Sequence, residues 1–220
     1  VLIGLLPALM HPDPQRAMAL GLGIGATPYG MSRDPRLGRL DVVEICGGEL
    51  EIQRELARRG AMESQRLLAD PRIQMHVGDG RKFLLASPVR FDVLTVDVVR
   101  PQAAFSGNLY SVEFYELLRS RLDGDGLVAQ WLATPRTFNS VSAVFPYVMR
   151  FSVASYDGSQ FFIASQQPIV FDRQRILDRL QTMTSTGAFS PAQVQSITQF
   201  LSTVEPAAPS GGAAAATRED

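Results

Sequence analysis

Short apolar segments recur along this chain, and most of them run into a glycine-rich turn or end at an acidic residue. Their length and apolar character predict buried β-strands. They are Ala17–Leu22, Arg39–Ile45, Ile73–Val77, Phe91–Asp97 and Leu127–Leu132. Helical patterns stand between several of them, so strands and helices alternate. This alternation predicts a mostly parallel sheet that is covered by helices on both faces.

The helical segments have apolar residues at three- and four-residue spacing. They are residues 50–68, with an expected break near Gly60, and Val112–Leu122, Asp172–Met183 and Pro191–Val204. The second of these segments runs into the sequence DGDG at residues 123–126, which predicts a turn before the fifth strand.

The sequence after the fifth strand indicates a change in strand direction. Tyr147–Ser155 and Gln160–Ser165 flank a short Tyr-Asp-Gly-Ser segment, a pattern typical of a β-hairpin. We therefore predict an α/β fold: a doubly wound, mostly parallel Rossmann-like sheet with a C-terminal antiparallel hairpin. We expect one domain over residues 1–204 and a disordered Ala/Pro/Gly-rich tail over residues 205–220.

Composition argues against several classes of function. The 21 basic and 22 acidic residues give a net charge of −1, which does not favour binding to nucleic acid. One cysteine and two histidines exclude a disulfide framework and a Cys/His metal cluster, so we expect no metal. No apolar run reaches the roughly 18–20 residues that cross a bilayer. We expect a cytoplasmic protein without a membrane span in this chain.

The first ten residues, VLIGLLPALM, are apolar but contain a proline and follow no basic segment. They do not match an ordinary signal peptide. These residues and Phe105–Tyr110 are candidates for a subunit contact or a lid, and the sequence does not separate the two. Because the chain begins at Val1, we take it to be a fragment or a processed chain.

The glycines of GLGIG, residues 21–25, follow the first predicted strand. Without side chains, Gly21, Gly23 and Gly25 allow a tight turn and let a ligand approach the backbone. The spacing is GxGxG rather than the GxGxxG of dinucleotide-binding folds, so a nucleoside without pyrophosphate is the better match. A tight turn without any ligand is the alternative.

Acidic residues follow the next three strands. Glu44 stands about twenty residues after the glycine turn, where a carboxylate can accept two ribose hydroxyls, or simply be a solvated carboxylate at a strand end. Asp79 stands between Gly78 and Gly80 and can accept from an exocyclic adenine amine, or simply form an Asp-Gly turn. Asp97 ends the fourth strand. Because the carboxyl ends of parallel strands meet at one edge, we expect these groups to form one nucleoside-binding cleft.

The same segments resemble a known family. They are GLGIG, VVEI (42–45), VGDGRKFL (77–84), FDVLTVD (91–97), LYSVEFYELLRSRL (109–122) and GLVAQW (126–131). Together they resemble the spermidine synthase family of polyamine aminopropyltransferases, within the class I S-adenosylmethionine-dependent methyltransferase fold. The resemblance covers about Leu9 to Ser165. GLGIG and Gln130-Trp131 look most like members fused to a transporter-like membrane region; if this chain is one of them, Val1 would follow a membrane segment.

The resemblance implies a role for each matching residue. Those on the nucleoside are Gly21, Gly23 and Gly25 along the methionine-like part, Glu44 on the ribose, Ile45 against the adenine, and Asp79 and Gly80 at the adenine edge. Asp97 matches the first aspartate of the family's D-x-x-D stretch, which orients or deprotonates the attacking amine. Tyr110 matches an aromatic residue of the acceptor channel. Asp97 and Tyr110 are thus the catalytic and substrate-binding candidates.

Arg100 departs from the family pattern, which has a second aspartate at this position. A carboxylate there favours a polycationic amine, whereas a guanidinium repels one. Arg100 is therefore a substrate-binding candidate that can pair with a carboxylate, either on intact S-adenosylmethionine or on an anionic acceptor.

The resemblance implies a transferase with S-adenosylmethionine or its decarboxylated form as co-substrate. It would move an aminopropyl or related group to a small-molecule acceptor, with Arg100 arguing against polyamine specificity. A methyltransferase with a non-polyamine acceptor and a non-catalytic dimerisation or binding module stay open as alternatives. The resemblance also implies a homodimer.

The remaining candidates have plainer interpretations. We expect Cys46 to pack in the core, and His11 and His76 to have structural roles. Trp131 is equally compatible with core packing and with the wall of the cleft. The loop Pro101–Asn108 follows the proposed catalytic strand and is a candidate lid.

Overall fold

The structure is a computed structural model that describes residues 1–98, 106–132, 134–153, 159–185 and 187–203, without the side chains of residues 106 and 203. The predicted tail, Arg100 and most of the candidate lid lie outside these residues. No helix within these ranges combines the length and the apolar character needed to cross a bilayer.

The described residues contain one sheet whose strands alternate with helices along most of the chain. The strands are β1 (Arg16–Leu20), β2 (Arg39–Glu44), β3 (Ile73–Val77), β4 (Phe91–Val96), β5 (Leu122–Trp131), β6 (Tyr147–Val153) and β7 (Ser159–Ser165). The helices are α1 (Leu2–Met10), α2 (Ala26–Ser32), α3 (Gly47–Arg58), α4 (Met62–Ala69), α5 (Gly80–Ala86), α6 (Val112–Ser120), α7 (Pro135–Ser142), α8 (Arg173–Ser185) and α9 (Pro191–Thr203), with a 3₁₀ turn at Ser106–Leu109.

The strand order is β3-β2-β1-β4-β5-β7-β6. The first five strands are parallel, and β7 pairs antiparallel with both β5 and β6. This arrangement confirms the predicted α/β class and the antiparallel hairpin strands. Residues 154–158, where the hairpin turn was predicted, lie outside the described residues. The chain builds outward from β1 to β3 and returns to β4, so the strand order reverses between β1 and β4.

The strand pleat divides the core into two layers. In β1, Ala17 and Ala19 pack with α1, α2, α8 and α9, whereas Met18 and Leu20 pack with α5, α6 and α7 on the other face. This alternation follows from the two-residue period of a β-strand. Helices therefore cover both faces of the sheet, as the sequence predicts.

Two predicted segments differ from the structure. The sequence DGDG was expected to form a turn, but β5 begins before it at Leu122, and residues 123–126 form an irregularity between the pairs Phe91–Leu122 and Val93–Leu127. The glycines let the strand bulge there without ending. The predicted break near Gly60 is confirmed, because α3 and α4 flank this residue, which has a φ of +91°.

The expectation that the first ten residues form a lid or a subunit contact is wrong. They form α1, in which every residue from Ile3 to Met10 is buried. Their apolar side chains pack in the layer of the core that also contains residues of α2, α8 and α9. The helix therefore belongs to the core of the described domain.

The carbonyl groups at the end of α1 are bound by arginines from distant parts of the chain. Arg36 donates to the carbonyls of Ala8 (2.8 Å), His11 (3.1 Å) and Pro12 (2.8 Å). Its guanidinium also pairs with the fully buried carboxylate of Asp34 at 2.5 Å. Arg179 on α8 adds donors to the His11 and Pro12 carbonyls. These contacts satisfy carbonyls that a helix end leaves without partners.

We expect Arg36→Met to lower the free energy of unfolding by about 3–5 kcal/mol, because it leaves the buried Asp34 carboxylate without its partner. Urea denaturation measures the change. The control is Arg54→Met, which removes an exposed ion pair with Glu51 on α3 and should cost less than about 1 kcal/mol. Equal losses in the two variants would contradict this account of how α1 is anchored.

Candidate functional site

A cleft of about 690 Å³ lies at the carboxyl ends of β1, β2 and β4. Its volume is in the range of small-molecule sites. The lining residues are Leu20, Gly21, Gly23, Val43, Glu44, Ile45, Cys46, Glu49, Asp79, Gly80, Arg81, Asp97, Val98, Asn108 and Leu109. The structure thus brings together the glycine turn and the three acidic residues that the sequence singled out.

The glycine turn brings the end of β1 against the end of β4. Gly21 has a φ of +100°, and a Cβ on this residue would stand 2.2 Å from the backbone oxygen of Asp97. Gly23 also has a positive φ and lines the cleft. Gly25 differs from the expectation, because it is buried next to Gln53 and Leu67 as the N-cap of α2 and does not line the cleft.

Both carboxylate oxygens of Glu44 are held by the backbone. One accepts from the Leu22 N–H and the other from the Cys46 N–H, each at 2.8 Å. Each oxygen retains a further lone pair, because a carboxylate can accept about four hydrogen bonds. Glu44 therefore has a fixed orientation at the edge of the cleft and can still accept from a ligand.

The residues after Glu44 form an exposed wall of the cleft. The Ile45 side chain is 73% exposed, which leaves an apolar surface for a flat ligand group. Cys46 is exposed as well, so the expectation that it packs in the core is wrong. It begins α3 as the N-cap residue at the mouth of the cleft, where no core packs over it.

Asp79 has a structural function that the sequence did not require. Its Oδ1 atom accepts from the Lys82 N–H at 2.9 Å, so Asp79 is the N-cap of α5. Gly80 begins this helix directly against Leu20, where a Cβ would approach the leucine side chain to 2.5 Å. The start of α5 is thereby fixed against the end of β1.

Two donors hold the Asp97 carboxylate. The Thr27 hydroxyl donates to Oδ2 at 2.5 Å, and the Trp131 indole N–H donates to Oδ1 at 3.1 Å. Asp97 was predicted from the sequence, but Thr27, which is 3% exposed in the first turn of α2, was not. Trp131 was expected to pack in the core or to form the cleft wall, and its role as a hydrogen-bond donor was not predicted.

Tyr110 is half-buried and bonded to Gln130, and it is not among the described residues that line the cleft. Burial raises the pKa of its phenol, the nearby Asp97 carboxylate raises it further, and the hydrogen bond to Gln130 acts in the opposite direction. Gln130 also accepts from the buried Tyr115 hydroxyl at 2.8 Å and donates to the Leu109 carbonyl at 3.1 Å. Tyr110 is therefore a neutral phenol at physiological pH.

The cleft has an excess of negative charge. Among its described lining residues, Glu44, Glu49, Asp79 and Asp97 are acidic, and Arg81 is basic. A cleft with this balance attracts cations. The described residues include no group of three or more His, Cys, Asp or Glu side chains that is arranged to bind a metal ion.

Arg81 is a further lining residue that the sequence analysis did not assign. Its guanidinium lies 3.4 Å from the carbonyl oxygen of Asn108, which links the start of α5 to the 3₁₀ turn. Arg81 stands in the segment VGDGRKFL, which resembles the family, but it was given no role of its own. Arg100, by contrast, lies outside the described residues.

Comparison with known proteins relates most of the chain to one family. The family model described as the spermine/spermidine synthase domain matches residues 2–145. The polyamine aminopropyltransferase of Nitrosomonas europaea is 32% identical over 133 residues, which are 59% of this chain and 39% of the relative. That of Clostridium tetani is 27% identical over 157 residues, 68% of this chain and 54% of the relative. The chain thus spans between about two fifths and half of the length of these relatives.

Solved structures show the same fold. A spermidine synthase in complex with the transition-state analogue AdoDATO has a TM-score of 0.71 and 20% identity, covering 90% of this chain and 74% of that chain. Human methyltransferase-like protein 13 in complex with SAH has a TM-score of 0.60 and 17% identity, covering 86% of this chain and 88% of that chain. These likenesses support the Rossmann-like, methyltransferase-type architecture.

Because the ends of β1 and β4 are in contact, we expect two glycine substitutions to lower the free energy of unfolding by different amounts. Gly21→Ala places a Cβ against the Asp97 backbone, whereas a Cβ at Gly23 meets no atom within 4 Å, although both residues have a positive φ. We expect Gly21→Ala to lose about 1–3 kcal/mol more unfolding free energy than Gly23→Ala. Urea denaturation of the pair measures this difference, and equal losses would argue against the close approach.

Proposed function

Because this chain belongs to the spermine/spermidine synthase family, we propose that it is a transferase that binds decarboxylated S-adenosylmethionine and moves its aminopropyl group to an acceptor amine. One observation carries the proposal: the Asp97 carboxylate, held by two donors, lines the same acid-rich cleft as Glu44 and Asp79. The parts of such a substrate match the successive groups along this cleft.

The nucleoside part matches the region around β2 and α5. Glu44 would accept the two ribose hydroxyls with the lone pairs that its backbone bonds leave free. Ile45 would cover one face of the adenine with its exposed side chain. Asp79 and Gly80 would meet the adenine edge, where Asp79 has one oxygen that is not used in capping α5.

The cationic part of the substrate matches the charge of the cleft. A sulfonium carries a fixed positive charge, and the glycine backbone at Gly21 and Gly23 leaves room for the chain next to it. The surplus of carboxylates would stabilise this charge and an attached ammonium group. Intact S-adenosylmethionine adds a carboxylate, which the same surplus disfavours.

The transfer itself is a nucleophilic substitution. The acceptor nitrogen attacks the methylene carbon next to sulfur, the carbon–sulfur bond breaks, and the sulfur keeps the electron pair as 5′-methylthioadenosine forms. Asp97 would align the acceptor and take the proton that its nitrogen loses. Most of the rate would come from holding the two reactants in line. Tyr110, as a neutral phenol, would donate or accept a hydrogen bond rather than remove a proton.

Arg100 supports one further candidate. A guanidinium at the position of the family's second acid can pair with the carboxylate of intact S-adenosylmethionine or of an anionic acceptor. In that case the chain would bind intact S-adenosylmethionine and act as a methyltransferase. The homodimer, the cytoplasmic location and the single domain over residues 1–204 stay predictions.

We expect calorimetric titration with 5′-methylthioadenosine to give micromolar binding, and Glu44→Ala to weaken it at least about tenfold, because the ribose loses a charged acceptor. The control is Glu51→Ala, an exposed residue on α3 that bonds Arg54 outside the cleft lining. Glu44→Gln keeps one acceptor oxygen and is the second variant in case Glu44→Ala does not fold. No binding by the wild type at protein concentrations near a millimolar, or undiminished binding by Glu44→Ala, would contradict the nucleoside site.

Arg100→Asp separates the two candidate reactions. If the chain is an aminopropyltransferase, the added carboxylate should lower the KM for a diamine about tenfold or more, because it replaces a repulsion by an attraction. Release of 5′-methylthioadenosine from decarboxylated S-adenosylmethionine measures this. A loss of affinity for intact S-adenosylmethionine, with no gain for diamines, would favour the methyltransferase instead.

A further inference from the structure

The Asp97 carboxylate is held by donors from two elements that are far apart in the sequence. Thr27 belongs to the first turn of α2 and Trp131 is the last residue of β5. Their donor atoms lie 2.5 Å from Oδ2 and 3.1 Å from Oδ1. From the part of the chain that the structure describes, each carboxylate oxygen thus receives one donor, and the two bonds together fix the rotation of the carboxylate about the Cβ–Cγ bond.

The Thr27 hydroxyl contributes nothing to the end of its own helix. The N-cap of α2 is Gly25, which has a φ of +80° and no side chain that can cap the helix. Threonine hydroxyls near a helix start commonly bond the backbone of that helix. Here the buried hydroxyl points instead to a residue 70 positions away. Its position is explained by Asp97 rather than by α2.

The Trp131 indole is held in place by the hairpin strands. Its ring meets that of Phe161 on β7 edge-on, with the centroids 5.8 Å apart and an interplanar angle of 74°. Phe161 in turn stacks on Phe151 of β6 at 5.0 Å, and both phenylalanines are fully buried. Such edge-on and stacked pairs restrict ring orientation. The indole N–H therefore faces Asp97 with little freedom to turn away.

We propose that Thr27 and Trp131 are positioning residues for Asp97 in the transfer reaction. Each uses one lone pair of a carboxylate oxygen and leaves another for the acceptor nitrogen. The carboxylate then meets the acceptor in a single orientation, which is the requirement for in-line attack. This inference rests on the proposed function and goes beyond it by naming the groups that orient the proposed base.

Kinetics of matched Thr27 variants test the positioning role. Thr27→Val keeps the shape of the side chain but removes the hydroxyl, and we expect kcat to fall about tenfold to a hundredfold. The KM for the nucleoside substrate should stay within about twofold, since Thr27 does not line the cleft. Thr27→Ser, which restores a hydroxyl, should recover most of the lost rate. Trp131→Phe should lower kcat in the same way.

A second measurement does not depend on turnover. The chain has one tryptophan, so the indole N–H signal in a nitrogen-15 NMR spectrum belongs to Trp131. We expect this signal to shift in Asp97→Ala and in Thr27→Val, where the carboxylate can rotate, and to keep its position in Thr27→Ser. Asp178→Asn is the control, because Asp178 is exposed on α8 and bonds Gln174.

The two measurements distinguish the inference from the proposed function. If the wild type transfers no group to any amine but the indole signal responds as described, the proposed function fails and the positioning of Asp97 stands. A Thr27→Val variant with wild-type kcat, or with an unchanged indole signal, would overturn the inference. So would a Thr27→Ser variant that loses as much rate as Thr27→Val.

Discussion

The close approach of the Gly21 and Asp97 backbones is the contact on which the site depends. At this point the strand order reverses, and the ends of β1 and β4 come so close that a Cβ on Gly21 would stand 2.2 Å from the Asp97 carbonyl oxygen. The Asp97 N–H also donates to the Leu20 carbonyl at 2.9 Å. Helix α2 starts after the glycine turn at this junction and brings the Thr27 hydroxyl to the Asp97 side chain.

Much of this arrangement could be predicted from the sequence, for a physical reason. In a parallel sheet the carboxyl ends of the strands meet at one edge, so identifying the strands was enough to place Gly21, Glu44, Asp79 and Asp97 together. The strand periods and the glycine and acidic residues at their ends are local patterns. The antiparallel hairpin and the break at Gly60 were predictable for the same reason.

What the sequence did not predict depends on contacts between distant residues or on which surfaces become covered. The hydrogen bonds of Asp97, which directly follows β4, come from residues of α2 and β5, and no local sequence pattern predicts them. Cysteine is a residue type that is often found in cores, but no element packs over Cys46 at the start of α3. The apolar sequence of the first ten residues is equally compatible with a lid, a subunit contact or a core helix. Only the packing of α1 against α2 and α8 shows that it is a core helix.

The most direct test of the account is to identify the group that moves. The protein would be incubated with decarboxylated S-adenosylmethionine that is isotopically labelled in its aminopropyl group, together with a panel of amines, and the products would be analysed by mass spectrometry. The account predicts that the label appears on an amine nitrogen in step with the release of 5′-methylthioadenosine. Label that never leaves the sulfonium, while intact S-adenosylmethionine yields S-adenosylhomocysteine and a methylated acceptor, would contradict it.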